Sequence, residues 1–323
     1  MASTDSKPYV VGIDLGGTNT AFGIVDAKGN VIASNSIKTQ EHKELDKYMD
    51  NLAAAMLDLI NKNGGIEKIK GVGVGAPNAN YYTGNIEHAA NLPWKGIVPF
   101  ADILSKKLGV PVAITNDANA AAIGEAVYGV ARGMKDFIMI TLGTGVGSGI
   151  YCGGKLLYGH DGNAGELGHV IMRRGGRQCG CGNKGCLETY TSATGVVRTT
   201  REFLTTDPNR QSSLRNIPID QITAKDVCVA ADNGDALAKD IFDFTGNIMG
   251  EAFADMVKFS SPEAIVLFGG LAHAGKFLSI PAEKAMNDNL MPVFKNKIKI
   301  LFSELNGNGN AAILGASGLA WDL

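Results

Sequence analysis

The chain has 323 residues, of which 45% are hydrophobic and 19% charged, with a formal net charge of −2. This composition is sufficient for a large buried core, excludes an intrinsically disordered protein and disfavours a nucleic-acid-binding one. No apolar leader or membrane-length apolar run is present, and the few cysteines do not suit a disulfide-bonded secreted protein. We therefore expect a cytoplasmic protein without a membrane or nucleic-acid partner.

Glycine is over-represented, with 42 copies, roughly twice the usual share of about 7%. The glycines cluster beside apolar runs and follow no fixed period, which excludes collagen-like and linker sequences. Glycine clusters at strand ends are typical of backbone that turns sharply or approaches a ligand closely.

The first half of the chain alternates predicted strands and helices. Runs of β-branched and apolar residues predict the strands, and apolar residues three or four positions apart predict the helices. In chain order these are strands at 9–15, 21–25 and 31–37, a helix at 45–60, a strand at 71–76, a helix at 99–108, a strand at 112–115 and a helix at 118–128.

The second half begins with strands and continues mainly with helices. Strands are predicted at 137–142, 148–152 and 155–157, helices at 188–204, 224–231 and 236–259, a strand at 264–268, a helix at 276–291, a strand at 298–302 and a closing helix from residue 310. The polar segment 205–222 is predicted as a surface excursion. Strands that alternate with helices predict mostly parallel sheets covered on both faces.

Two segments follow the same plan of strand, glycine hairpin, strand, turn and strand. The first reads IDLGGT from Ile13 and the second reads ITLGTG from Ile140. This recurrence predicts an internally duplicated α/β protein with one lobe from each copy.

Each hairpin allows backbone N–H groups to turn towards phosphate oxygens. The alternative is a hairpin that merely needs glycine at positive φ, but the recurrence favours a phosphate clamp. Neither a Walker A loop nor a dinucleotide-binding turn fits, because no Gly-Lys-Ser/Thr follows and the next element is a strand. Asp14 ends a strand and is placed to hold Mg²⁺. The predicted nucleotide contacts are Asp14, Gly16, Gly17, Thr18, Asn19, Thr144 and Gly145, with Gly269 and Gly270 beside the adenosine.

Asn116 and Asp117 stand where a strand ends and a helix begins. Both residue types are good helix N-caps, which is the simplest interpretation of this pair. Phosphoryl transfer to an alcohol, however, needs a carboxylate that accepts the hydroxyl proton. Asp117 is therefore the candidate general base.

The strongest local signal is the spacing of His169, Cys179, Cys181 and Cys186. Three thiolates and one imidazole supply the four ligands of a tetrahedral zinc ion. With four protein ligands the zinc would be structural. The other two cysteines, Cys152 and Cys228, lie in apolar surroundings and are predicted to be ordinary core thiols.

Carboxylates flank this candidate zinc knot, with Glu166 before it and Glu188 after it. They are placed to accept hydrogen bonds from a polyol, and a zinc-bound His169 offers its other ring N–H as a donor. The alternative for Glu188 is a favourable acidic residue near a helix N-terminus. Together with Asp117, these residues favour a sugar site.

The sequence resembles the ROK family of repressors, open reading frames and kinases, and within it the ROK-type glucokinases. The similar segments, which run from the first strand to near the end, are IDLGGTNT (13–20), GVGAPN (73–78), TNDANAAAIGE (115–125), ITLGTGVGSGI (140–150), GELGH (165–169), CGCGNKGCLE (179–188) and VLFGG (266–270).

The resemblance implies an actin-like ATPase fold, a duplicated ribonuclease H-like α/β architecture of two lobes with an interlobe active-site cleft. Residues 1–117 and 308–323 would form the small lobe and 118–307 the large lobe with the zinc knot. The implied reaction is transfer of the ATP γ-phosphoryl group to the 6-hydroxyl of a hexose, most simply glucose, with MgATP as donor. Family members often dimerise, so a homodimer or tetramer is expected.

By the same likeness Asp117 is the general base, and the sugar is held by Asn91, Asn116, Asp117, Glu166, His169 and Glu188. One segment departs from the family pattern, because Asn78 stands where glycine is expected. Asn tolerates positive φ, so the turn can survive, but its side chain then lies near the sugar. A kinase for mannose, fructose, N-acetylglucosamine or N-acetylmannosamine stays open, as does a sugar-responsive transcription repressor.

Overall fold

The computed structural model describes residues 7–305 and 311–323. By its internal contacts the chain divides into two compact units. Unit 1 consists of Met1–Gly133, Leu156–Ala164 and Glu304–Leu323, and unit 2 consists of Met134–Lys155 and Gly165–Ser303. No helix of the described ranges combines the length and apolarity that crossing a membrane requires.

Unit 1 is built on a five-stranded sheet in the order β3-β2-β1-β4-β7. Two antiparallel pairings join the first three strands, and parallel pairings join β1 to β4 and β4 to β7. Its strands are β1 (Tyr9–Leu15), β2 (Asn19–Asp26), β3 (Val31–Lys38), β4 (Ile69–Gly75) and β7 (Val112–Thr115), with a separate small pair β5 (Ile86–Glu87) and β6 (Ile97–Val98).

Four helices cover the sheet of unit 1, namely α1 (Leu45–Lys62), α2 (Phe100–Leu108), α3 (Asp117–Val127) and α9 (Ala311–Leu319). The last helix lies directly on the sheet, since a β-carbon at Gly73 would come within 1.9 Å of the Ala316 carbonyl oxygen. Glycine in β4 therefore sets how closely helix and strand approach.

Unit 2 repeats this sheet, in the order β10-β9-β8-β11-β12. Here too an antiparallel hairpin, β8 with β9, is extended by parallel pairing of β8 with β11 and of β11 with β12. The strands are β8 (Phe137–Leu142), β9 (Val146–Cys152), β10 (Lys155–Leu156), β11 (Ala264–Phe268) and β12 (Lys299–Phe302). The two sheets have the same strand order. In each, the first strand is central, with the second and then the third strand on one side and the fourth and then the fifth on the other. This shared order confirms the predicted duplication.

The helices of unit 2 are α4 (Glu188–Thr191), α5 (Ala193–Thr206), α6 (Ala224–Asp232), α7 (Ala236–Ser260) and α8 (Lys276–Asn289). The sequence predicted one helix over 188–204, and this is wrong. Ser192 is extended (φ −82°, ψ 170°) and caps α5 by accepting a hydrogen bond from the Gly195 N–H. The other predicted elements agree with the structure to within about two residues at their ends, and residue 310, the predicted start of the closing helix, lies outside the described residues.

By contacts, unit 1 continues beyond residue 117, where the sequence places a lobe boundary, as far as Gly133. The physical reason is that α3 packs on α9. A β-carbon at Gly124 of α3 would lie 2.7 Å from the Gly315 Cα of α9, so the two helices are in backbone contact.

Candidate functional site

The first glycine hairpin lies between β1 and β2 in unit 1. The Gly16 N–H donates to the Asn19 carbonyl at 3.0 Å and closes the turn. From the end of β3, the Thr39 hydroxyl donates to the Gly16 carbonyl at 2.8 Å and the Thr39 N–H donates to the Thr18 carbonyl at 2.9 Å. With these carbonyl groups bound, the N–H groups of Gly17 and Thr18 have no acceptor among the described residues.

Asn91 reaches this hairpin from the loop that precedes β6. A β-carbon at Gly17 would lie 2.6 Å from the Asn91 carbonyl oxygen, so glycine is needed for the contact. Three residues later, Trp94 packs on Tyr48 with ring centroids 4.4 Å apart. The Tyr48 hydroxyl in turn lies 2.6 Å from the Thr20 hydroxyl. The structure thus brings the predicted sugar residue Asn91 to the predicted phosphate hairpin.

The carboxyl group of Asp14 in unit 1 is affected by its surroundings. Burial, and secondarily the charge of Asp117, raises the pKa of Asp14 above its ordinary value. Asp14 is half-buried at the end of β1, whereas Asp117 is exposed at the start of α3. A half-buried carboxylate at the end of a strand is a suitable ligand for a hard divalent cation such as Mg²⁺.

The start of α3 shows that the capping interpretation of Asn116 is correct. The Asn116 side-chain oxygen accepts a hydrogen bond from the Asn119 N–H at 2.7 Å. One oxygen of Asp117 accepts from the Ala118 N–H at 2.8 Å. Capping thus fixes both side chains, while the Asn116 amide nitrogen and the second Asp117 oxygen take no part in these two bonds.

Asn78 occupies the left-handed region, with φ +53°. This confirms that asparagine serves in the turn where glycine was expected. Its carbonyl accepts from the Glu87 N–H at 2.9 Å, and its side chain faces the His88 carbonyl at 3.5 Å. His88 also has φ +53°, so two left-handed residues lie opposite each other in the loop that leads to Asn91.

The second glycine hairpin lies between β8 and β9 in unit 2. The Gly143 N–H donates to the Gly145 carbonyl at 3.0 Å. The next residue, Val146, donates its N–H to Glu188 Oε2 at 3.0 Å. A β-carbon at Gly145 would lie 2.3 Å from the same carboxylate oxygen. Glu188 is therefore held against the hairpin, which only glycine allows.

A cavity of about 800 Å³ opens beside this hairpin and is lined by residues of unit 2 alone. Of the predicted nucleotide residues, Thr144 and Gly270 line it, and Gly269 precedes it with φ +101°. Sequence reasoning missed part of the wall, namely Ala193, Thr223, Lys225, Cys228 and His273. The available signal was the capping box of Thr223 and Asp226, which fixes the start of α6 at the cavity rim.

The four predicted zinc ligands come together. The ligand atoms of His169, Cys179, Cys181 and Cys186 all lie within 4.8 Å of one another. Their closest pairs are the Cys181 and Cys186 sulfurs at 3.7 Å and the Cys179 sulfur with His169 Nδ1 at 3.6 Å. Edges of about 3.8 Å are expected for a tetrahedron with metal–sulfur bonds of about 2.3 Å, so the donor set fits zinc.

The chemistry of the thiols supports the same fit. Burial raises the pKa of the Cys186 thiol to about 12 and also raises the pKa of Cys179. Thiolates crowded together in this way need a bound cation for their charge. The zinc knot (residues 169–186) would therefore be stabilised by the ion that it binds.

The flanking carboxylates stand in different positions. His169 directs Nδ1 towards Cys179, and its Nε2 lies 3.9 Å from Glu166 Oε2. Glu188 Oε1 lies 3.5 Å from the Cys179 sulfur, while its Oε2 accepts a hydrogen bond from the Val146 N–H of the hairpin. The predicted polyol residues Glu166, His169 and Glu188 thus surround the zinc knot, and Glu188 connects it to the phosphate hairpin.

The prediction that the remaining cysteines are core thiols is wrong for Cys152, which is exposed at the end of β9 just before the Gly153-Gly154 turn. Cys228 does pack against the core of unit 2, but it also lines the cavity. Helix α6 thus contributes both to the core of unit 2 and to the cavity wall.

The left-handed turn at Asn78 gives a stability prediction. Asn78→Ala should lower the free energy of unfolding by about 1 kcal/mol, because a β-carbon disfavours this conformation. Asn78→Gly should leave it unchanged or raise it. Urea unfolding of the two variants measures the difference, and equal stability of the alanine and glycine variants would contradict the assigned turn.

The buried carboxyl of Asp14 gives a pH prediction. Its raised pKa means that the folded state binds a proton more readily than the unfolded state, so ionisation of Asp14 destabilises the fold. In magnesium-free buffer Asp14→Asn should therefore raise the Tm at pH 7.5. The gain should shrink as the pH falls through the raised pKa towards the ordinary value of 3.8. The exposed Asp220→Asn is the control without such a gain, and an Asp14→Asn variant that melts below the wild type at pH 7.5 would refute the argument.

Known proteins resemble this chain over most of its length. The chain is 37% identical over 293 residues to a glucokinase of Halalkalibacterium halodurans. The matched region covers 89% of this chain and 88% of the relative. A ROK family glucokinase from Streptomyces griseus, solved with glucose and AMPPNP, matches with a TM-score of 0.78 at 32% identity, covering 98% of this chain and 100% of that one. An N-acetylglucosamine repressor of Escherichia coli is more distant, at 25% identity over 92% of this chain and 72% of the repressor.

The structural match confirms the predicted actin-like ATPase fold. The ROK family model matches residues 10–322, nearly the whole chain. Together with the two glycine hairpins and the cysteine–histidine cluster, these findings establish that the chain belongs to the ROK family.

Proposed function

We propose that this protein is an ATP-dependent glucose kinase that forms glucose 6-phosphate and ADP. The observation that carries the proposal is the position of Glu188 in unit 2. One of its oxygens faces the zinc knot, which the predicted polyol residues surround, and the other binds the phosphate hairpin. A sugar held by the knot residues would therefore lie next to a phosphate held by the hairpin. The glucokinase relatives support glucose as the sugar.

The nucleotide would be bound through its phosphates and its base. The N–H groups of Thr144 and Gly145 have no acceptor among the described residues, so they are available to phosphate oxygens. The apolar cavity beyond Thr144 has room for adenosine, with Gly270 in its wall. In unit 1 the open N–H groups of Gly17 and Thr18 and the side chain of Asn19 are likewise available to phosphate oxygens.

Mg²⁺ would be held by Asp14 of unit 1, directly or through water. When bound, the ion would neutralise charge on the transferred phosphoryl group. The buried position of Asp14 keeps its carboxyl in place, and Gly16 allows the chain to turn away immediately after it.

Candidate residues for the sugar hydroxyls occur in each unit. Asn78, Asn91 and Asn116 would contribute from unit 1, and Glu166, His169 and Glu188 from unit 2. Since the Asn116 oxygen is used as a helix cap, this residue would offer its amide N–H groups. His169, with Nδ1 on the metal, would donate Nε2–H to a hydroxyl oxygen.

Asp117 would act as the general base. Its oxygen accepts the proton of the glucose 6-hydroxyl while the 6-oxygen forms a bond to the γ-phosphorus. The bond from the γ-phosphorus to the bridging oxygen breaks, and ADP leaves with that electron pair. The hydrogen bond from the Ala118 N–H orients the carboxylate at the helix start.

We also propose a cytoplasmic homodimer or tetramer, in which a structural zinc ion makes the knot rigid. The cysteine usage supports the location, because three of the five cysteines are crowded into the knot and a reducing compartment keeps such thiols free. Mannose, fructose, N-acetylglucosamine and N-acetylmannosamine are the alternative sugars, and turnover with each beside glucose decides between them.

Asp117→Asn tests the mechanism. The variant should lose about 10²–10⁴-fold in kcat, because that is the usual contribution of a positioned general base. It should keep its fold and still bind glucose, because the asparagine side chain can hydrogen-bond the same hydroxyl group. Asp102→Asn, likewise an exposed aspartate in the first turn of a helix, is the control with normal turnover. Near wild-type kcat in folded Asp117→Asn would falsify the assigned base.

Elemental analysis tests the zinc knot. Wild type should contain about one zinc per chain, and Cys181→Ser should lose the metal and several degrees of Tm. Cys152→Ser removes an exposed thiol outside the knot and should keep both. A Cys181→Ser protein that retains a full equivalent of zinc, or melts like wild type without it, would remove the structural role.

A further inference from the structure

We propose that Thr194 is a positioning residue for nucleotide binding, because its hydroxyl group fixes the second glycine hairpin. The proposal rests on the kinase function proposed above. The segment that contains α4 and the start of α5 (residues 188–194, the junction) would hold the hairpin carbonyl groups away from the nucleotide. The hairpin N–H groups would then face the nucleotide.

The junction binds the hairpin at three successive points. The Ala193 N–H donates to the Gly143 carbonyl at 2.9 Å, and the Thr194 hydroxyl donates to the Thr144 carbonyl at 2.7 Å. Glu188 accepts from the Val146 N–H at 3.0 Å. Two carbonyl groups and one N–H are thereby bound, and the N–H groups of Thr144 and Gly145 are left as the donors for phosphate.

Thr194 belongs to a chain of hydrogen bonds with one consistent direction. The Gly195 N–H donates to the Ser192 hydroxyl oxygen at 3.0 Å. Because the Thr194 proton is used on the Thr144 carbonyl, the Ser192 hydroxyl must donate to Thr194, across 2.9 Å. Ser192 is fully buried, so the chain starts from a fixed point. This also explains why the helix breaks at Ser192.

Arg177 of the zinc knot holds the same junction from its other side. Its guanidinium donates to the Thr189 carbonyl at 2.8 Å and lies over the Tyr190 ring at 4.5 Å. Its side chain is almost entirely buried. The junction is thus fixed between the knot and the hairpin, and Thr194 lies at its hairpin end.

The first hairpin has the same device built from a different residue. In unit 1, Thr39 donates its hydroxyl to the Gly16 carbonyl and its N–H to the Thr18 carbonyl. A threonine thus binds hairpin carbonyl groups in both halves of the duplication, although Thr39 follows a strand and Thr194 lies in the first turn of a helix. Its recurrence on unrelated elements indicates that binding these carbonyl groups is a requirement of the hairpin and not an accident of packing.

The test compares Thr194→Val, which removes the hydroxyl but keeps the shape, with Thr194→Ser, which keeps the hydroxyl. Thr205→Val is the matched control, because Thr205 lies on the same helix and its hydroxyl bonds to the Arg201 carbonyl, with no hairpin contact. The Kd for AMPPNP is measured by calorimetry with and without glucose, together with KM for ATP, KM for glucose and Tm.

Thr194→Val should weaken AMPPNP binding and raise KM for ATP by about three- to tenfold, the loss expected for one hydrogen bond. KM for glucose should stay within about twofold, and Thr194→Ser should recover most of the nucleotide affinity. Unchanged AMPPNP affinity in Thr194→Val, or an equal rise in both KM values, would overturn the proposal. Failure of wild-type protein to bind AMPPNP at all would instead refute the proposed kinase function.

Discussion

The proposed site depends on two contacts of the Glu188 carboxylate. Its two oxygens face different partners, with Oε1 at the Cys179 sulfur and Oε2 at the Val146 N–H. A residue at the start of a one-turn helix can hold this position only if both ends of the helix are fixed. The knot fixes one end through Cys186, two residues earlier, and Ser192 fixes the other by its cap. The metal site and the glycine hairpin therefore form one rigid assembly, although each was recognisable in the sequence as a separate motif.

The fold could be predicted where local pattern and tertiary structure agree. Both glycine hairpins end buried strands, and their recurrence implied two similar sheets before any strand order was known. The helix break at Ser192 could not be predicted, because apolar spacing continues across it and the sequence does not reveal which hydrogen bonds are available. The break is decided by the Gly143 and Thr144 carbonyl groups, which bind Ala193 and Thr194 and lie about fifty residues away in the chain.

The site residues likewise divide into those that the sequence predicts and those that it does not. The cluster of His169, Cys179, Cys181 and Cys186 was predictable because these residues lie within one short segment and have the spacing that is typical of a metal site. Of the cavity wall, Thr144 and Gly270 were predicted from the glycine clusters, whereas Ala193 and Thr223 were missed because distant segments bring them to the cavity and neither residue type marks a ligand site by itself. Asn116 is an intermediate case, since its capping role could be predicted and leaves only its amide nitrogen for another partner.

The duplicated hairpins show which part of a phosphate clamp must be kept and which part can vary. In both hairpins the carbonyl groups accept hydrogen bonds, and this is the part that is kept. Thr39 donates these bonds in unit 1, and Ala193 and Thr194 donate them in unit 2. The variable part is the support behind them. In unit 1 it is a buried hydroxyl network of Thr20, Thr39 and Tyr48, and in unit 2 it is the segment that follows the zinc knot. The second hairpin therefore depends on a segment that also carries a candidate sugar-binding carboxylate, whereas the first does not. If the two substrates influence each other's binding, unit 2 offers the direct physical route, because displacement of Glu188 by a sugar hydroxyl would release the Val146 N–H in the hairpin itself.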